Sequence, residues 1–149
     1  MAEVKMEDSN LSNYGGKEHH EAVKQAARKD KAWKNAGKKK GIQIWRVENF
    51  RIKSWPKSRY GEFYSGDSYI ILHTKVNDVG KKTYDAFFWL GAETTQDEAG
   101  TAAYKTVELD EILGDEPVQY REIQGMETKK FLDLFPKVSI LSGGIDSGF

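Results

Sequence analysis

The chain has 149 residues, enough for one domain with a real core, and 38% of them are hydrophobic against 31% charged. Its 23 basic and 23 acidic side chains balance to a formal net charge of zero, which argues against a nucleic-acid binder. There is no cysteine, so disulfides, thiolate metal sites and cysteine nucleophiles are excluded.

The opening MAEVKMEDSN is acidic and polar, unlike a signal peptide, and no apolar run approaches the roughly 20 residues that span a bilayer, so the default location is the cytosol. Residues 1–16 end in Gly15-Gly16 and read as a mobile tail. Residues 17–36 are rich in Ala, Lys, Glu and Gln, with a weak apolar stripe at Ala22, Val23, Ala26 and Ala27. They predict a marginal helix docked by Trp33. Gly37 to Gly41 is a lysine-rich linker. The organisation expected is therefore a tail with an N-terminal helix over 1–36 and one folded domain over 37–149.

Ile42–Val47, Tyr69–Thr74 and Tyr84–Leu90 are rich in β-branched and aromatic residues and predict strands, the third apolar enough to be central. Asn77–Lys82 predicts the hairpin between the last two. Val118–Ile123 alternates as a strand does, Glu127–Phe135 has helical spacing before Pro136, and Val138–Leu141 is a short strand ended by Gly143-Gly144. The fold class expected is α/β, or α+β: a mixed sheet with a helix on each face. Ser147-Gly148-Phe149 supplies no finishing element, which suggests a piece of a longer protein.

Charge is unevenly spread. Lys24–Lys40 is basic and Thr94–Glu127 mostly acidic, a pattern that fits a cation site or a basic partner. Within the acidic part, Thr95-x-x-Glu98 has the spacing of a capping box, and Gly114 supplies a stop about five turns later. On that helix Ala99, Ala102, Leu109, Ile112 and Leu113 share one arc, the core face. Gly100, Ala103, Tyr104 and Val107 share another, with Glu111 at its edge. A helix lying on a sheet needs only the first arc. The second is either covered by a loop or by the N-terminal helix, or it is offered to a partner with Tyr104 and Val107 as anchors.

Calcium takes six to eight oxygens, and the candidates are Asp67 after Gly66, Glu98 in the first helical turn, and Asp110, Glu111, Asp115 and Glu116 at the helix end. Acids there oppose the macrodipole and await a cation or a basic partner; the alternative is a solvated acidic face. No EF-hand loop is present. Catalysis finds no support: His19, His20 and His73 are the only histidines, and no nucleophile elbow, P-loop, dinucleotide fingerprint or HExxH occurs.

The runs IQIWRVENF, YSGDSYIILHT and WLGAETTQDEAGTAAYKTVELDEIL, followed by VQYREIQGMET and GGIDSGF, resemble the first domain of the gelsolin/villin family, closest to the severin and fragmin group, over about residues 33–149. The resemblance implies a sheet of about five strands between one long and one short helix. It implies a non-enzymatic domain whose long helix inserts into the cleft between actin subdomains 1 and 3, binding monomers, capping barbed ends and contributing to severing in a longer protein. Gly100, Ala103, Tyr104 and Val107 would meet actin, flanked by Glu108 and Glu111. Two calcium sites are implied. One uses the Gly66 and Ile145 carbonyls with the Asp67 and Glu98 carboxylates. The other is shared with actin and uses Asp110 with the carbonyls of Asp115 and Pro117. Glu98 cannot both close the capping box and fully ligate calcium, so capping is expected from Thr94 or Thr95 alone. The family's basic stretch for phosphoinositide is here FPKVSILSGG, with Lys137 its only cation, although Lys38–Lys40 could touch acidic lipid. A calcium- and phospholipid-binding membrane adaptor is the alternative from another class.

Overall fold

The computed structural model describes residues 30–144. Five strands form the main sheet in the order β2-β1-β4-β5-β6: β1 (Gly41–Glu48), β2 (Arg51–Ser54), β4 (Ser68–Val76), β5 (Lys82–Leu90) and β6 (Val118–Ile123). All neighbours are antiparallel except β5 and β6, which run parallel because the long helix α1 (Gln96–Ile112) carries the chain between them. A separate parallel pair joins β3 (Glu62–Tyr64) to β7 (Ser139–Leu141).

The period-2 alternation of β4 and β5 sorts their side chains onto two faces. Ile70, Leu72, Ala86 and Leu90 point to the α1 side, where they meet Trp45, Val47, Ala102 and Leu109. Tyr69, Ile71, Phe87 and Trp89 point to the other side, where they meet Phe63, Phe131 and Phe135. Both strands are therefore apolar almost throughout, as the central position of Tyr84–Leu90 required. Each fully buried side chain of this size contributes roughly 1.5–3 kcal/mol. The second face is closed by α2 (Lys129–Leu132), whose Thr128 cap accepts from the Phe131 N–H at 3.3 Å. The helical run expected over Glu127–Phe135 thus shrinks to four residues with turns after it.

Two strands were not expected. Arg51–Ser54 offers one apolar residue, Ile52, because it is the edge of the sheet with its other side chains in solvent. Glu62–Tyr64 is three residues long and pairs only with β7, a partner far along the chain. The β1–β2 connection is the two-residue turn Asn49-Phe50, with both residues at positive φ, 51° and 66°. That conformation matches the twist of a hairpin but is unusual for a phenylalanine.

Of the N-terminal helix expected over 17–36, residues 17–29 lie outside the described residues. Lys31–Trp33 is a single 3-10 turn capped by Asp30. Trp33 (2% exposed) and Ala36 belong to the core on the α1 side, so packing extends N-terminal to residue 37. Trp33 docks edge-on against Trp45, with ring centroids 4.8 Å apart.

Candidate functional site

Helix α1 begins where the sequence places its cap. Thr95 is extended, and its hydroxyl accepts from the Glu98 N–H at 3.1 Å. The Glu98 carboxylate accepts from the Thr94 hydroxyl at 3.3 Å. Thr94 also shares a 2.7 Å hydrogen bond with the Ser68 hydroxyl, which ties the start of the helix to the start of β4. Inside the helix, the Thr101 and Thr106 hydroxyls donate to the carbonyls of Asp97 and Ala102, four residues back, so neither is left unsatisfied.

The two arcs read from periodicity differ in exposure. Ala102 and Leu109 are fully buried, and Ala99, Ile112 and Leu113 pack against the same cluster. On the other arc Tyr104 is 48% and Val107 41% exposed, Gly100 is exposed and Ala103 half-buried. Phe50, 65% exposed at the tip of the β1–β2 turn, stands beside this arc. Together with Gln96, Asp97, Gly100, Thr101, Tyr104 and Lys105 it lines a shallow recess of about 460 Å³.

Glu108 and Glu111, expected to flank the exposed arc, are buried instead. Glu108 accepts from the Trp33 indole N–H at 3.2 Å and from the Lys105 ammonium at 3.0 Å. Lys105 also reaches Asp30 at 2.7 Å. Burial works against the Lys105 charge, but its hydrogen bonds to Asp30 and Glu108 outweigh that and hold its pKa above the usual lysine value. Glu108 therefore ties the N-terminal segment to α1.

The candidate ligands gather at the two ends of α1. Asp67 is fully buried and Glu98 nearly so. Asp67 is next to Ser68 and Glu98 is bonded to Thr94, so the Ser68–Thr94 bond brings the two carboxylates to one end of the sheet. The Gly66 N–H donates to the Gly143 carbonyl at 2.8 Å, and a Cβ on Gly144 would meet Asp67 Oδ1 at 2.6 Å. Only glycine leaves Asp67 that space. Ile145, the other expected carbonyl ligand here, lies outside the described residues. At the far end Asp110 Oδ2 accepts from Gln119 at 3.1 Å, and the Asp115 N–H donates to the Asp110 carbonyl at 2.9 Å. Gly114 and Asp115 both take positive φ, Asp115 is exposed, and no basic residue occupies the last helical turn. Among the described residues no three acidic or imidazole side chains converge on one point. A cation at either end would take part of its shell from backbone carbonyls or water.

Residues 55–132 match the family described as Gelsolin repeat. The chain belongs to the gelsolin repeat family. It is 47% identical over 150 residues to gelsolin-like protein 1 of Lumbricus terrestris, covering 99% of this chain and 41% of that protein. It is 57% identical over 120 residues to cytoplasmic gelsolin of Homarus americanus, covering 79% of this chain and 16% of that protein. It is 59% identical over 118 residues to an actin depolymerising venom protein, gelsolin 1, of Platymeris rhadamanthus, covering 76% of this chain and 31% of that one. The chain thus spans less than half the length of each of these relatives. Among solved structures, the Thorarchaeota 2DGel3/rabbit actin complex contains a chain of the same fold, with a TM-score of 0.55 at 20% identity, covering 66% of this chain and 45% of that one.

Two features are not read from the helix and strand periods. Phe50 carries a local signal, an aromatic residue in a polar turn before a strand. The bond from Trp33 to Glu108 joins residues 75 apart and leaves no local trace.

Proposed function

We propose that this domain binds actin through the exposed arc of α1. The observation that carries the reading is the apolar trio Tyr104, Val107 and Phe50, left in solvent, with Tyr104 and Phe50 lining a shallow recess, on a helix whose other arc already satisfies the core. Exposed aromatics grouped on a rigid element have the character of interface anchors. Gly100 lets a partner backbone approach, and Ala103 extends the contact. The arc would enter the cleft between actin subdomains 1 and 3, so that the chain holds monomers and caps barbed ends, in the cytoplasm and on the cytoskeleton. Severing would need a second filament contact supplied elsewhere in a longer protein.

Calcium dependence belongs to the same reading. Asp67 and Glu98, with the carbonyls of Gly66 and Ile145, would hold one ion. The buried carboxylates and the space that Gly144 preserves fit that donor set. Asp110, with the carbonyls of Asp115 and Pro117, would hold a second ion shared with actin, whose charge would offset the acidic helix end. Bound there, calcium supplies charge neutralisation and cross-linking, not chemistry.

The test is native-gel and co-sedimentation binding to monomeric actin, with phosphoinositide-containing vesicles in parallel, each in calcium and in chelator. Binding to actin that weakens in chelator is expected. Vesicle binding without actin binding would overturn the reading in favour of a membrane adaptor.

A further inference from the structure

Arg46 stands on β1 opposite Tyr69 of β4, with a side chain only 13% exposed. It is held on three sides. Its Nε and Nη2 donate to Glu48 Oε2 at 3.0 and 2.8 Å. Its guanidinium lies over the Trp55 ring, 4.9 Å from the centroid. Its remaining nitrogen, Nη1, is 3.6 Å from Asp67 Oδ2. That separation is too long for a hydrogen bond but is a close ion pair in a buried setting.

We infer that Arg46 is the resident counter-ion of Asp67 and sets how tightly that carboxylate takes a divalent cation. The inference rests on the reading of Asp67 as a calcium ligand. A fully buried carboxylate needs compensating charge, and Arg46 brings a positive group to Asp67 without a metal. The guanidinium cannot lose its proton, so it still repels a dication when one arrives. Its bonds to Glu48 and its stacking on Trp55 oppose its swinging away. The site is thereby tuned weak. Glu48 sets the degree of tuning, because it neutralises part of the Arg46 charge.

Isothermal titration of the chain with calcium alone, together with thermal melts in chelator, tests this. Arg46→Gln is expected to bind calcium about tenfold tighter than the parent, a screened unit charge acting on a dication at short range. It should also melt at a lower temperature in chelator, because Asp67 loses its counter-ion. Arg46→Lys keeps the charge and should stay within roughly threefold of the parent. Glu48→Gln should bind roughly threefold more weakly, since the Arg46 charge is then unopposed. An Arg46→Gln protein that melts cooperatively yet binds calcium no tighter than the parent overturns the inference. If that variant does not fold, unchanged affinity in Glu48→Gln overturns it instead. Asp67→Asn separates the two levels. If it binds calcium as the parent does, the assignment of Asp67 fails, and the role of Arg46 fails with it. If Asp67→Asn loses the site but the Arg46 variants leave affinity unmoved, only the role of Arg46 fails.

Discussion

The two ends of α1 are built differently. The N-terminal end is wired into the sheet: Thr95 caps it, Thr94 bridges Ser68 to Glu98, and Asp67 and Glu98 are buried. Backbone packs against backbone there, with the Gly66 N–H on the Gly143 carbonyl. The C-terminal end is open. Gly114 and Asp115 turn the chain in left-handed conformations, and Asp115 and Glu116 face solvent. One helix thus has one end that folding ties to the sheet and another where Asp115 and Glu116 stay in solvent. Pre-assembled ligands lower the ordering cost of binding, whereas open ones defer it to complex formation.

The largest effect tests the surface between the two ends. Tyr104→Asp places a charge at the centre of the proposed interface and should weaken actin binding by roughly a hundredfold or more. Its melting temperature should stay near that of the parent, because Tyr104 is 48% exposed. Unchanged affinity would return the arc to a purely structural role.

The next pair compares rigidity directly. A Cβ on Gly66 would lie 2.8 Å from the Gly143 carbonyl oxygen, so Gly66→Ala should cost about 2–3 kcal/mol in denaturant unfolding. A Cβ on Gly114 meets nothing within 4 Å, and only its φ of 73° opposes substitution. Gly114→Ala should therefore cost only about 1 kcal/mol. Equal costs would erase the contrast between a locked end and an open one.

The last comparison concerns where calcium is held. Asp110→Ala should weaken calcium binding about tenfold in the actin complex and hardly at all in the free chain, read by titration in both states. Equal loss in both states would mean that the C-terminal cluster is complete without a partner.

Much of this was legible beforehand, for reasons particular to each element. Strands β4 and β5 are buried on both faces and so read as continuous apolar runs. The two arcs of α1 follow from its period, and Thr95, Glu98 and Gly114 mark its bounds within a turn. Strands β2 and β3 were hidden because one is a polar edge and the other pairs at long range. The burial of Glu108 was hidden for a related reason. Its position beside the exposed arc is a local property, but its burial is decided by Trp33 and Lys105, one of them far away in the chain. Periodicity ranks the faces of a helix; it does not say what else arrives to cover them.

The Trp33–Trp45 pair has an optical consequence. Two indoles with centroids 4.8 Å apart and planes at 71° couple their electronic transitions. The pair should contribute a circular-dichroism band that exists only while the segment around Asp30 to Trp33 is seated on α1. Trp33→Phe keeps an aromatic ring there but removes the coupling, and so identifies the band. The chain thus carries its own label-free probe of whether that segment stays in place when the helix meets its partner.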